Sequence, residues 1–274
     1  MTLTRRELRD LLARHGVRPT RARGQNFVVD PNTVRRVVRL AEVGPGDRVV
    51  EVGAGVGSLS LALVERGATV TAVEVDRRLV PLLREVVEPS GVTVVEGDAL
   101  HLDWSAVLGP GPWVLVANLP YNVATPLVAT LLDDVPQIER LVVMVQREVG
   151  ERLAAATGDP AYGAVSVKVA YWATARVVAH VPPTVFWPEP KVESAVVSIR
   201  RRSPEELLDV DRARLFRLVA AGFGQRRKML RRSLAGLVTA DQFRSAGIRP
   251  DARAEELDLA AWARLAECTP PPPS

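Results

Sequence analysis

Between residues 48 and 199, short apolar runs alternate with segments of helical spacing. Residues 48–52, 69–75, 92–96, 113–117 and 141–146 are valine-rich and read as strands. Residues 59–66, 77–87, 126–132 and 147–156 read as helices lying between or after them. Near-continuous apolar strands joined through helices predict an α/β fold, with a parallel sheet covered on both faces. Residues 165–181 and 192–200 are two more β-rich runs, expected to form an antiparallel pair at the sheet edge. A proline-rich loop, 182–190, joins them. After residue 203 the pattern changes: 205–223, 226–237, 240–246 and 255–267 have helical spacing and almost no strand signal. This predicts a domain over 1–202 with a basic N-terminal arm at 1–23, a small C-terminal all-α domain over 203–268, and a disordered tail at 269–274.

Charge adds a partner class to this picture. The net charge is only +4, but it is unevenly spread. Residues 1–23 carry seven arginines against Glu7 and Asp10, and residues 200–232 carry 11 basic against 4 acidic side chains. The body between them is mildly acidic. Two basic segments flanking such a body suit a polyanion, although arginine-rich helices also occur as plain solvated faces. The single cysteine, Cys268, permits no internal disulfide, which fits a reducing cytoplasm. His15, His101 and His180 are far apart in sequence, so no metal site is expected. No apolar stretch is long enough to span a bilayer, and the N-terminus lacks an apolar signal core, so a cytoplasmic location away from membranes is expected.

The candidate chemistry lies at the strand ends. Residues 49–57 run from an apolar strand into Gly53-Ala54-Gly55-Val56-Gly57 and then a helix. Such a loop lets backbone approach a ligand closely, although a bare tight turn looks the same. Glu74 ends the second strand, where a carboxylate can accept both hydroxyls of a ribose. Asp98 ends the third, where it can accept an adenine amino group. Asn118-Leu119-Pro120-Tyr121 ends the fourth. The Asn118 side-chain oxygen and the Leu119 carbonyl can accept the two N–H bonds of an exocyclic amine, pulling its nitrogen toward tetrahedral geometry and freeing the lone pair. Tyr121 can stack on the base. Alone, this tetrapeptide is evenly balanced against an ordinary turn. Four such features on one rim favour S-adenosyl-L-methionine over a nicotinamide cofactor, because Asn118–Tyr121 has no part in hydride transfer.

With Gly24-Gln25-Asn26-Phe27 upstream, the set resembles the ribosomal RNA adenine dimethyltransferases, specifically the KsgA/RsmA family acting on 16S RNA. The resemblance covers nearly the whole chain. It runs through Arg23–Phe27, the glycine loop, Glu74, Gly97–Leu100, Asn118–Asn122, Thr125-Pro126, Met144–Glu148, Val181–Pro183, Phe186, Pro188, Pro190–Val192 and Gln225–Lys228. Two stretches depart from it: Ala54 stands where many members have proline, and Gly222-Phe223-Gly224 where Ala-Phe-Ser is commoner. The resemblance implies a Rossmann-like class I methyltransferase sheet. It also implies that Gln25, Asn26 and Val28 close over the cofactor, that Gly53 and Gly55 face its methionine end, and that Phe186 stacks on the target base opposite Tyr121. Arg226, Arg227, Lys228, Arg231 and Arg232, expected on a helix, would form a basic collar for RNA phosphates. The implied activity is dimethylation of N6 on two adjacent adenosines near the 3′ end of 16S rRNA, in an immature 30S subunit and by a monomer. Rival readings are an Erm-type 23S rRNA methyltransferase conferring macrolide resistance, a DNA adenine methyltransferase, and a non-catalytic 30S assembly factor on the same fold.

Overall fold

The computed structural model describes residues 2–19, 25–120 and 123–269. In chain order its elements are α1 (Arg5–Arg14), β1 (Phe27–Val28), α2 (Pro31–Ala41), β2 (Arg48–Val52), α3 (Ser58–Val64), β3 (Thr69–Glu74), α4 (Val80–Val87), β4 (Thr93–Glu96) and α5 (Trp104–Leu108). They continue with β5 (Trp113–Asn118), α6 (Ala124–Asp134), β6 (Ile138–Gln146), α7 (Arg147–Ala154), α8 (Ala164–Trp172), β7 (Ala173–Val181), β8 (Phe186–Trp187) and β9 (Ser194–Arg201). Four helices follow: α9 (Arg212–Gly224), α10 (Leu230–Ser233), α11 (Ala240–Ser245) and α12 (Leu259–Glu267).

The chain divides into two compact units. The first comprises residues 1–151 and 175–201, the second 152–174 and 202–274. Residues 152–174, assigned by sequence to the first domain, thus group with the second unit. A seven-stranded sheet has the order β4-β3-β2-β5-β6-β9-β7. The pairs β4/β3, β3/β2, β2/β5 and β5/β6 are parallel, and β9 joins β6 antiparallel. Strands β2, β5 and β6 are almost wholly buried, which is why they read as unbroken apolar runs.

The two runs expected at the sheet edge do lie there as neighbouring strands, β7 and β9, but the first run is only half strand. Residues 164–172 form a helix, and strand begins at Ala173. The valines at 165, 167 and 169 suggest strand by propensity. That preference is weak, however, and helix α8 is buried on several sides through Ser166, Val167, Val169, Tyr171 and Trp172. Within the basic N-terminal arm, residues 5–14 form helix α1. Thr4 and Glu7 cap α1 reciprocally. Leu8, Leu11 and Leu12 then bury one face of α1 in a cluster with Val56, Leu79 and Leu82. In the second unit, helices α9 and α12 carry the buried residues Leu215, Leu218, Trp262 and Leu265. The departure at Gly222 has a packing reason: a Cβ there would sit 2.5 Å from the Trp262 ring.

Candidate active site

Because β4, β3, β2 and β5 are parallel neighbours, their carboxyl ends lie on one edge of the sheet. The strand order reverses between β2 and β5, and ligands bind at such a switch point in open α/β sheets. There, a cavity of about 440 Å³ is lined by Gln25, Asn26, Val28, Gly53, Gly55, Glu74, Asp98 and Asn118. All eight residues expected from the sequence to contact the cofactor therefore meet at one place.

Backbone hydrogen bonds set the rim. The Gly53 and Ala54 amides donate to the Val73 carbonyl at 2.8 and 3.2 Å, turning the glycine loop over the end of β3. Gly53 and Gly55 have φ of +71° and +61°. A Cβ on Gly55 would lie 3.0 Å from the Phe27 ring, so both backbone shape and close approach call for glycine there. Glu74 is 6% exposed. Its carboxylate accepts the Gly55 and Asp76 amides, each at 2.8 Å, and so ties the loop to β3. Burial raises its pKa, against the lowering effect of those two amides. Asp98 is exposed at the end of β4, where it accepts the Leu100 amide at 3.0 Å and meets His101 Nδ1 at 2.9 Å. Those hydrogen bonds, the Leu100 amide foremost, hold its carboxyl below the usual range.

Asn118 closes the rim on β5. Its Nδ2 donates to the Asn26 carbonyl at 3.0 Å. A backbone carbonyl can only accept, so this contact fixes the amide's orientation and assigns Oδ1 to any further partner. The Leu119 amide donates to the Met144 carbonyl at 3.0 Å, locking the peptide that follows. Tyr121 and Asn122 lie outside the described residues, as do Arg23 and Gly24.

Phe186 differs from expectation. It pairs with Val28 across the β1–β8 ladder and is 1% exposed within the main core cluster. Both its neighbours there are apolar strand and core, so its ring offers no open face in this structure. The basic collar also differs. Residues 225–228 form a turn after α9, and only Leu230–Ser233 is helical. Arg226 is tied down, donating to Glu255 at 2.6 Å and to the Pro160 carbonyl at 2.9 Å. Arg227, Lys228, Arg231 and Arg232 are exposed.

Three of the cavity residues that sequence reasoning missed bear on its chemistry. Asp76 accepts from Gln25 Nε2 at 2.8 Å and from Arg78 Nη2 at 2.7 Å, and the Arg78 guanidinium holds it far below the usual carboxylate range. The Glu74-x-Asp76 spacing, which puts both acids on one side of an extended chain, was the available signal. Glu51 is fully buried and accepts the Ser60 hydroxyl; burial pushes its pKa up to about 8. Val75 lines the same cavity although 61% exposed, an apolar surface at its mouth.

Comparison with known proteins shows the family. The profile of the family described as ribosomal RNA adenine dimethylase matches residues 19–269. The chain belongs to that family. The enzyme class expected from the sequence, an S-adenosylmethionine-dependent rRNA adenine dimethyltransferase, is the family's own. The chain is 48% identical to ribosomal RNA small subunit methyltransferase A of Thermobifida fusca, over 98% of this chain and 96% of that one. With the protein of the same name from Cutibacterium acnes it shares 49% identity, over 92% and 89%. Among solved structures, the 23S rRNA methyltransferase ErmE is similar with a TM-score of 0.68 and 27% identity, over 89% of this chain and 99% of that one. A dimethyladenosine transferase from Plasmodium falciparum shares the fold with a TM-score of 0.72 at 23% identity, over 86% and 94%. The class I methyltransferase sheet expected of this family is the one observed.

Proposed function

We propose that the chain dimethylates N6 of two adjacent adenosines near the 3′ end of 16S rRNA, in an immature 30S subunit in the cytoplasm, acting as a monomer. The observation that carries the chemistry is the orientation of Asn118 at the edge of the cavity, with its amide nitrogen committed to Asn26 and its oxygen directed elsewhere. The choice of 16S over 23S RNA rests on the relatives: identity is 48% to a protein named for the small subunit and 27% to ErmE.

The residues present suit S-adenosylmethionine. The cavity volume falls in the ligand-site range of roughly 300–1,000 Å³. Positive-φ glycines let backbone reach the methionine end, Glu74 keeps lone pairs for a ribose, and Asp98 can accept from an adenine amine, with Val75 offering apolar surface beside it. When bound, the cofactor supplies an electrophilic methyl group. Asn118 Oδ1 and the Leu119 carbonyl would hold the adenine amine, and Tyr121 would stack on the base. Phe186 would add a second face only once the β1–β8 pair parts. Holding the amine in line supplies most of the rate through positioning, and no side chain has to remove a proton beforehand. The base must first leave its stack, at a cost of a few kcal/mol. Arg227, Lys228, Arg231 and Arg232 would bind phosphates, while Arg226 would serve mainly to brace the turn.

Incubation with labelled S-adenosylmethionine and either unmethylated 30S particles or 23S RNA tests this reading. Label should enter the 30S particles. Label entering only 23S RNA would instead favour the Erm-type activity, and no label in either would favour a pure assembly role.

A further inference from the structure

A positively charged groove of the first unit lies outside the cavity just described. A groove of about 820 Å³ is lined by Arg5, Arg6, Arg9 and Arg18, with Asp10 as its one acid and Trp187 as its one aromatic side chain among the described residues. All four arginines are exposed. Arg6 is loosely paired with Asp10 at 3.8 Å, and Arg5 reaches the Thr184 carbonyl at 3.5 Å. Arg9 and Arg18 form no ion pair among the described residues. Arg5 and Arg9 also share one helix face at i, i+4, where like charges destabilise a helix by roughly 0.2–0.5 kcal/mol. Helix α1 docks through its leucines, and of that arginine row only Arg5 reaches another element, by its long bond to the Thr184 carbonyl.

Trp187 links this groove to the acceptor site. It is half-buried, resting against the leucine cluster that α1 shares with α4. It pairs with Phe27, the residue after Asn26, whose carbonyl holds Asn118. From Asn118 to the indole is one hydrogen bond, one residue step and one cross-strand step, a path on the order of 10 Å. Guanidinium groups match phosphate geometry, and an indole is a stacking platform for bases in single-stranded nucleic acid.

We propose that this groove holds single-stranded rRNA flanking the target adenosine, with the arginines on its phosphates and Trp187 against a base. The proposal rests on the rRNA substrate given above and adds a specificity-determining subsite to it. The binding of a flanked RNA and of the same RNA trimmed to the target loop tests it, by titration at 50 to 200 mM salt alongside methylation kinetics. Arg9→Glu/Arg18→Glu should weaken the flanked RNA at least tenfold and lower its salt slope by about 1–1.5. KM should rise while kcat stays within twofold, and the trimmed RNA should bind both proteins alike. Trp187→Ala should weaken flanked RNA at every salt concentration, with rescue by Trp187→Phe. S-adenosylmethionine affinity and the unfolding midpoint control for misfolding and should not move in Arg9→Glu/Arg18→Glu. In Trp187→Ala the midpoint should fall, because the indole packs on the leucine cluster, and unchanged S-adenosylmethionine affinity is the control there.

Flanked RNA bound within twofold of wild type would overturn the proposal, as would equal losses on both RNAs. Weakened binding to 30S particles with naked RNA unaffected would mean a protein partner and would overturn it too. If the wild type methylates no rRNA, the proposed function fails, while the titrations still report on the groove.

Discussion

Glu51→Gln isolates the cost of a buried acid. Glu51 is 2% exposed and accepts the Ser60 hydroxyl, and burial foremost raises its pKa from 4.5 to about 8. The folded chain therefore holds a proton on Glu51 that the unfolded chain releases above pH 4.5. A raised folded-state value means the folded state is favoured at low pH and loses stability as pH climbs toward 8. Each pH unit in that window costs about 1.4 kcal/mol, so the full penalty reaches at most about 5 kcal/mol at pH 8 and above. Glutamine has the same shape, keeps an acceptor for Ser60 and does not titrate. Urea unfolding of both proteins at half-unit steps from pH 5 to 9 reads the difference. Near pH 5 the two should differ by less than about 1 kcal/mol, and by pH 8 the variant should lead by several. A residual slope should remain in the variant, because burial raises Glu74 in the same direction. Parallel stability curves across pH 5 to 8 would refute the reasoning, since Glu51 would then be ionised in the folded state or never desolvated.

Asn118→Ala should lower single-turnover methyl transfer by roughly 10²–10³, the range for losing one group that stabilises the reacting centre, with S-adenosylmethionine affinity by calorimetry changed only severalfold. Gly57→Ala should destabilise by about 2–4 kcal/mol in urea, from left-handed strain and overpacking together, because φ is +85° and the new Cβ would collide with Val87. Gly46→Ala, with φ of +90° but open space around it, should cost only about 1–2 kcal/mol, from strain alone. Arg227→Glu should weaken RNA binding and reduce the salt slope by about 1, with unfolding unchanged, whereas Arg226→Glu should also destabilise the second unit by breaking its bonds to Glu255 and Pro160.

The parallel sheet and its rim were legible because each rests on a local signal. Buried parallel strands are continuous apolar runs, and Gly53, Glu74, Asp98 and Asn118 each sit where such a run stops. What was hidden depends on tertiary partners. The run 165–172 suggests strand by valine content, and only its burial against the second unit's helices makes it α8. Phe186 looked like a loop aromatic until the two-residue ladder with β1 placed it in the core. The arginines at 226–232 looked equivalent, but one of them spends its guanidinium on Glu255 and a backbone carbonyl. Helix α1 was obscured by its charge: seven arginines in 23 residues mask three leucines whose buried face decides its packing.

The most direct test of the central claim is nucleotide-resolution mapping of the product. Unmethylated 30S particles incubated with the protein and S-adenosylmethionine should acquire N6,N6-dimethyladenosine at two adjacent positions near the 3′ end of 16S rRNA, four methyl groups per particle. Modification confined to 23S rRNA, or methyl groups on any atom other than adenine N6, would contradict the account.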